Sequence, residues 1–302
     1  LDSNRHGAVR PGIDLHIHST ASDGTVAPLD ILDEARRIPL GAVAITDHDT
    51  LAGVREVLAA GNPVDIPFLT GIEISISPPR PFPIQGSLHL LGYGMAVDDP
   101  DLNQALDELR QSRDSRNPRI ITKLNALGIR LSYDDVCREA GDSQIGRPHI
   151  ATCLVRKGYA ADINDAFNRY LGTGRPAYVN RHRIAAARAI ALVRAAGGIP
   201  VLAHPDLYGL PDSGTLEKLI KVLVDAGMMG IEVYYPGHSA AVVHHLETIA
   251  GQMDLLMSGG TDFHGDLKPD TRLGVGTGDF FVPVALYEKL RARLAQMPAG
   301  QV

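Results

Sequence analysis

The chain has 302 residues, of which 44% are apolar, and carries a net charge of −6. That length holds one large barrel, or one domain with a smaller one inserted, and enough apolar matter for a sizeable core. The acidic balance excludes broad, non-specific affinity for duplex nucleic acid, though not a local basic pocket. Cys137 and Cys153 are the only cysteines, and no C-x-x-C pair occurs. Both are expected to be small buried residues without a disulfide, as suits a reducing compartment such as the cytoplasm. The longest apolar stretch, residues 184–203, is broken by Arg188, Arg194 and Gly197-Gly198, so no membrane partner is expected. No signal peptide is visible, and the first ten residues lack periodicity and read as a disordered lead.

Along the chain, short apolar runs end in polar residues of metal-binding type. They are Ile13 to His16, Ala42 to His48, Phe68 to Glu73, Leu88 to Leu90, Ile199 to His204 and Leu255 to Asp262. Their length and Val/Ile content predict buried parallel strands. Amphipathic stretches such as Pro28 to Arg37 and Leu216 to Ala226 lie between them, which predicts an α/β architecture. In barrels of that kind, chemistry gathers at the C-terminal edge of the strands. Residues 98–182 break the pattern. They predict helices over 101–127, 132–140, 147–157 and 162–171, and their basic and acidic residues nearly balance, whereas the remainder carries the acidic excess. The expected division is a barrel formed by 11–97 and 183–297, with 98–182 inserted to cover its active site.

The candidate chemistry begins at Asp14-Leu15-His16-Ile17-His18. Residues i and i+2 of a strand share a face, so His16 and His18 can hold one ion together. Ser22-Asp23-Gly24 places a carboxylate nearby, and Thr46-Asp47-His48-Asp49-Thr50 sets five polar residues in a row after an apolar strand. Glu73 stands among apolar neighbours in Gly71-Ile72-Glu73-Ile74-Ser75, where burial demands a cation or a hydrogen-bond network. His89, His204, Asp262 and His264 complete the set, in His89-Leu90-Leu91-Gly92-Tyr93, Ala203-His204-Pro205 and Gly260-Thr261-Asp262-Phe263-His264-Gly265. Imidazole and carboxylate without thiolate suit Mn, Fe or Zn in a catalytic site rather than a structural zinc knuckle. Clustered ions of that kind serve phosphoryl chemistry. Arg110, Arg113, Arg116 and Arg119 recur every three residues and form a drifting basic stripe if helical. Arginine's planar fork suits phosphate, though such a stripe is also a common solvated face. His6, His182, His244 and His245 belong to no motif and read as surface residues.

The order H-x-H, S-D-G, T-D-H-D-T, G-I-E-I-S, H-L-L-G-Y, A-H-P and G-T-D-F-H-G resembles the PHP (polymerase and histidinol phosphatase) family. The resemblance runs through residues 13–97 and 199–265 and implies a distorted seven-stranded β/α barrel with an inserted small helical domain. It implies three divalent ions, manganese first, with iron or zinc as alternatives. His16, His18, Glu73 and Asp262 would hold the first, Glu73, His89 and His204 the second, and Asp23, His48 and His264 the third. A metal-bound hydroxide held by Glu73 and Asp262 would be the nucleophile. Gly146-Arg147-Pro148-His149, Gly174-Arg175-Pro176 and Gly230-Ile231-Glu232-Val233-Tyr234-Tyr235-Pro236-Gly237-His238-Ser239 resemble the branch of 3′,5′-nucleoside bisphosphate phosphatases and 5′-to-3′ oligoribonucleases. Arg113, Arg116, Arg147, His149 and His238 are the candidate grips for substrate phosphates. Pro118 interrupts the arginine-bearing helix and is expected to kink it, and Pro39 replaces a more helical residue after the first helix.

The expected activity is removal of the 3′-phosphate from a nucleoside 3′,5′-bisphosphate, leaving the 5′-monophosphate. Trimming of short RNA from its 5′ end uses the same ions, but six Phe, nine Tyr and no Trp favour the small substrate over a stacked strand. A histidinol-phosphate phosphatase fits the chemistry and not the insertion motifs. A degenerate, non-catalytic binding domain fits neither the complete ligand set nor the absence of a polymerase-sized region.

Overall fold

The computed structural model describes residues 12–297 apart from 39, 62, 64, 85, 86, 142–144 and 181. The first ten residues and Pro39 lie outside the described residues.

The first half of the barrel runs β1 (Asp14–Ile17), α1 (Pro28–Arg37), β2 (Val43–Ile45), α2 (Ala52–Ala59), β3 (Phe68–Ser77) and β4 (Leu88–Tyr93). The insertion follows with α3 (Pro100–Ala126), α4 (Tyr133–Ala140), α5 (Arg147–Arg156), α6 (Ile163–Ala166) and a π-turn over Phe167–Leu171. The chain returns through β5 (Ile184–Ala185), α7 (Ala186–Ala195), β6 (Ile199–Leu202), α8 (Ser213–Asp225), β7 (Gly230–Tyr234), α9 (Ala240–Gln252), β8 (Leu256–Gly259) and α10 (Val284–Leu294). The sheet follows the order β1-β2-β3-β4-β6-β7-β8, with the short β5 attached to β3. This is a distorted seven-stranded β/α barrel with a helical insertion.

The ring is drawn together between β1 and the loop after β8. His18 donates its backbone N–H to the Phe263 carbonyl (2.9 Å). Asp14 receives the Thr261 hydroxyl (2.6 Å), the Thr261 N–H (2.9 Å) and the Gly274 N–H (2.9 Å). Gly260 allows this approach, because a Cβ there would stand 2.3 Å from the His16 nitrogen.

One expected feature is corrected. The Leu88–Leu90 run is not a parallel strand, since β4 is antiparallel to both β3 and β6. The reversal explains where His89 falls. It is the second residue of β4, opposite Ser75 near the C-terminal end of β3, so the start of a reversed strand shares the rim with the ends of its neighbours.

The helical stretch buries a core of its own, built on residues such as Ile120, Leu124, Val136, Ile150 and Leu154. The first half of α3 instead belongs to the barrel, where Leu102, Ala105, Leu106 and Leu109 join the main core. α3 continues through Pro118 as one helix, with Asn117 beside it donating to the Ile145 carbonyl (2.8 Å). Helix 162–171 is expected as a single element, but it changes at Phe167 from α6 into the π-turn. Cys153 is buried and Cys137 only half-buried, so the expectation of two buried thiols holds for one of them.

Candidate metal centre

Glu73 is the hub. It is 1% exposed on a strand of apolar neighbours, and its two oxygens face different partners. Oε2 lies 3.2 Å from His18 Nε2, 3.5 Å from His16 Nε2 and 2.9 Å from His48 Nδ1. Oε1 lies 2.8 Å from His89 Nδ1 and 3.0 Å from His204 Nε2. Asp262 Oδ1 closes the first group from the far side, at 3.2 Å from His18 Nε2 and 3.5 Å from His16 Nε2. Asp23 forms the third group, with Oδ1 3.5 Å from His264 Nε2 and Oδ2 3.9 Å from His48 Nε2. The structure therefore brings all nine candidate ligands into one continuous cluster. Within it, His18 also stands beside Asp23, His48 and His264, and His48 beside Glu73 and His89, so neighbouring groups share side chains.

Polar residues behind the cluster hold these groups in place. Asp47 accepts the Ser19 N–H (2.8 Å), the Ser19 hydroxyl (2.7 Å) and the Ser22 hydroxyl (2.6 Å), which anchors the loop carrying Asp23. Asp49 accepts the Ser75 N–H (2.7 Å) and ties the end of β2 to β3. His264 donates from Nδ1 to the Asp262 carbonyl (2.8 Å), which leaves Nε2 for the site. Asp49, His204 and Asp262 all adopt positive φ, at 57°, 24° and 54°, a conformation non-glycine residues rarely hold unless their surroundings impose it.

Sequence reasoning missed Glu232 in this role. Fully buried on β7, it accepts from His16 Nδ1 (2.9 Å) and from the His204 N–H (2.7 Å), and so fixes the His16 tautomer with Nε2 facing the cluster. The signal was available, because Gly230-Ile231-Glu232-Val233 repeats the buried carboxylate of Gly71-Ile72-Glu73-Ile74. Replacing Glu232 with glutamine is expected to weaken metal binding by about tenfold to a hundredfold. Calorimetric metal titration of the folded variant checks it, and wild-type affinity would remove Glu232 from the site.

The cluster fits cations. His16 Nε2, His18 Nε2 and Asp23 Oδ1 are buried, face the other donors and make no hydrogen bond. Burial opposes ionisation of Glu73, but His89, His48 and His16 hold its carboxyl well below the usual range. Burial likewise opposes protonation of His18, yet Asp262 and Glu73 push its pKa up to about 9. Burial lowers His89 and His264 to about 4. Three carboxylates thus share a buried site with imidazoles of both protonation states. Bound divalent ions would displace the protons that otherwise balance that charge.

The candidate phosphate grips divide. Arg113 (3% exposed) and Arg116 (5%) are buried, and Arg113 donates to Asp49 Oδ2 at 2.6 Å. Arg119 is exposed and Arg110 pairs with Asp107, so the basic stripe turns only its middle inward. His149 accepts the Gly146 N–H at Nδ1 (3.0 Å), which leaves the proton on Nε2, and burial keeps the ring neutral despite the field of Asp23. His238 donates from Nδ1 to the Val233 carbonyl (2.8 Å), so its buried Nε2 offers a lone pair and not a proton. Arg147 faces its own unit: it donates to the Leu171 carbonyl (3.2 Å) and lies over the Phe167 ring, 5.4 Å from the centroid. His182 and His244 are exposed, His245 is half-buried against Glu217, and His6 lies outside the described residues. Among the described residues no helix is long and apolar enough to cross a membrane.

Comparison with known proteins identifies the family. A model of the PHP domain matches residues 14–142. The chain is 35% identical to a 3′,5′-nucleoside bisphosphate phosphatase of Chromobacterium violaceum over 83% of its own length and 87% of the relative's. It is 34% identical to a 5′-3′ exoribonuclease of Haemophilus influenzae, over 83% of its length and 89% of that protein's. The solved structure of an amidohydrolase from Chromobacterium violaceum, with bound sulfate and no metal, superposes with a TM-score of 0.81 at 33% identity, covering 93% of this chain and 96% of that one. With its clustered histidines and carboxylates at the rim of a distorted barrel, the chain belongs to the PHP domain family of metal-dependent phosphoesterases.

Proposed function

We propose that this phosphoesterase removes the 3′-phosphate of a nucleoside 3′,5′-bisphosphate and releases the 5′-monophosphate. The observation that supports it is Arg113, a buried guanidinium held 2.6 Å from Asp49, the residue that follows the ligand His48. A cationic fork beside the third ligand group suits a substrate with a second phosphate to be held while the first reacts. Three divalent ions, manganese first and iron or zinc otherwise, would sit in the groups of His16, His18, Glu73 and Asp262, of Glu73, His89 and His204, and of Asp23, His48 and His264. When bound, they supply charge neutralisation on the phosphate and a hydrolytic nucleophile at neutral pH. Glu73 and Asp262 orient that nucleophile. Arg113, Arg116 and the Nε2–H of His149 hold the remote phosphate, with the insertion over the barrel mouth. The setting is cytoplasmic.

The second reading is 5′-to-3′ trimming of short RNA. It draws on a cavity of about 630 Å³ along α3, where Arg110 and Tyr133 meet Thr20 and Thr50 of the barrel loops. A trough of that size with an aromatic side chain has room for a further nucleotide, but Asp107 and Asp114 outweigh Arg110 in its lining and weaken it as a track for a phosphate backbone.

Phosphate release from adenosine 3′,5′-bisphosphate, measured beside mononucleotide release from a short 5′-phosphorylated RNA, separates the two. Faster turnover of the bisphosphate is expected, and preferential trimming of RNA would reverse the assignment. Arg113→Lys keeps a charge against Asp49 but loses the planar fork. It is expected to cost about tenfold in kcat/KM on the bisphosphate, the scale of one charge-assisted hydrogen bond. Hydrolysis of p-nitrophenyl phosphate, which has no second phosphate, should barely change. Equal loss on both esters would assign Arg113 to the fold or to the reacting phosphate.

A further inference from the structure

Between the loop after β8 and the insertion lies a cleft of about 460 Å³. His264 of the third ligand group opens into it, and Lys268, Pro148, Ile163, Asn164 and Phe167 line it. The cleft thus meets the metal cluster at His264, and its wall is mostly apolar, with the Asn164 amide, the Lys268 ammonium, the Asp270 carboxylate and the Thr271 hydroxyl as its polar groups. Lys268 reaches back to the cluster, donating to Asp262 Oδ2 at 2.6 Å.

Phe167 stands where α6 gives way to the π-turn, an irregularity that recurs at functional positions. Its carbonyl accepts the Gly172 N–H (2.8 Å), and the Arg147 guanidinium lies over the ring while donating to the Leu171 carbonyl. An aromatic ring fixed by a cation, in a cleft it shares with an amide and with the ligand His264, has the chemistry that receives a nucleobase.

We propose that this cleft is the nucleobase subsite of the substrate, with Phe167 as the stacking ring, Asn164 as a hydrogen-bonding partner at the base edge and Arg147 as the residue that positions Phe167. The proposal rests on the nucleotide reading above and adds where the base lies. It also gives Arg147 a different task from gripping phosphate: its guanidinium is engaged within the insertion. Stacking on a single ring is tolerant of base identity, so discrimination among bases would be modest and would come from Asn164.

The test uses the manganese-loaded enzyme, with 5′-AMP and ribose 5-phosphate as probes that differ only in the base. Calorimetry on the wild type should show tighter binding of 5′-AMP. Phe167→Ala should weaken 5′-AMP by about tenfold, within the range measured for single base–aromatic stacks, and leave ribose 5-phosphate unchanged. The chain contains no tryptophan, so Phe167→Trp introduces a single reporter whose emission should be quenched by 5′-AMP and not by ribose 5-phosphate. Arg147→Leu should weaken 5′-AMP by a smaller factor, again without effect on ribose 5-phosphate. Equal weakening of both probes by Phe167→Ala, or undiminished preference for 5′-AMP, overturns the subsite. Unquenched indole emission from the Phe167→Trp variant while it still binds 5′-AMP does the same. If the wild type turns over adenosine 3′,5′-bisphosphate while Phe167→Ala keeps its base preference, only the subsite fails. If the wild type releases no phosphate from the bisphosphate, the substrate assignment fails.

Discussion

Replacing Glu73 with alanine is expected to abolish turnover, lowering kcat by about a thousandfold or more, and to reduce bound metal. The expectation follows from geometry. Five imidazoles lie within 3.5 Å of its two oxygens, those of His16, His18 and His48 on one and those of His89 and His204 on the other. Among the described residues no other carboxylate joins these two groups in this way, so its loss opens both at once and brings five imidazoles together without the anion between them. Metal quantification alongside kcat at saturating manganese is the measurement, with circular dichroism to verify folding. Full activity at wild-type metal content would overturn the shared-carboxylate arrangement. Glu73→Gln supplies the finer comparison, since it keeps the volume and one acceptor oxygen and removes only the charge.

The second large effect is expected at Asp23. Its carboxylate meets His264 at 3.5 Å and His48 at 3.9 Å, and burial is overcome by His48 and His264, which hold its pKa well below the usual range. Asp23→Asn preserves the size of the side chain and removes its charge. If the ion held there acts on charge that develops in the transition state, kcat should fall by about a hundredfold while KM stays nearly constant. Metal content should fall by one equivalent with the remaining ions retained. A rise in KM at constant kcat would instead make Asp23 a ground-state binding group, and unchanged stoichiometry would show that its group holds no ion of its own.

The candidate ligands were legible as a set, because nine polar residues of metal-binding type at or close to the ends of apolar runs leave no bland role for all of them. His16 and His18 alternate with Leu15 and Ile17, and Glu73 is flanked by Ile72 and Ile74. Strand–helix alternation likewise made the α/β class legible. The direction of β4 was not, because an apolar run carries no mark of which way its neighbours run. It is settled only by partners distant in sequence, such as Leu91 against Glu73 and Val201. The arginine stripe at 110, 113, 116 and 119 showed a period but not its facing. That depends on where α3 crosses the barrel, which buries the middle two and exposes the last. The surroundings of Arg147 were hidden for a related reason: a Gly-Arg-Pro-His signature names a guanidinium, but Phe167 and Leu171, which it meets, are supplied by a turn some twenty residues on.

The course of α3 bears on how such insertions are exchanged during evolution. Its first turns furnish Leu102, Leu106 and Leu109 to the barrel core, and its last turns furnish Ile120 and Leu124 to the helical core. Cutting the chain where the charge pattern changes would strip three buried leucines from the barrel, worth roughly 5–9 kcal/mol at the usual value per buried side chain. That is comparable to the whole stability of an ordinary domain. Removal of the whole helical stretch from this chain is therefore expected to unfold its barrel. A deletion that begins after Asn117 would leave these leucines, and Arg113, in place.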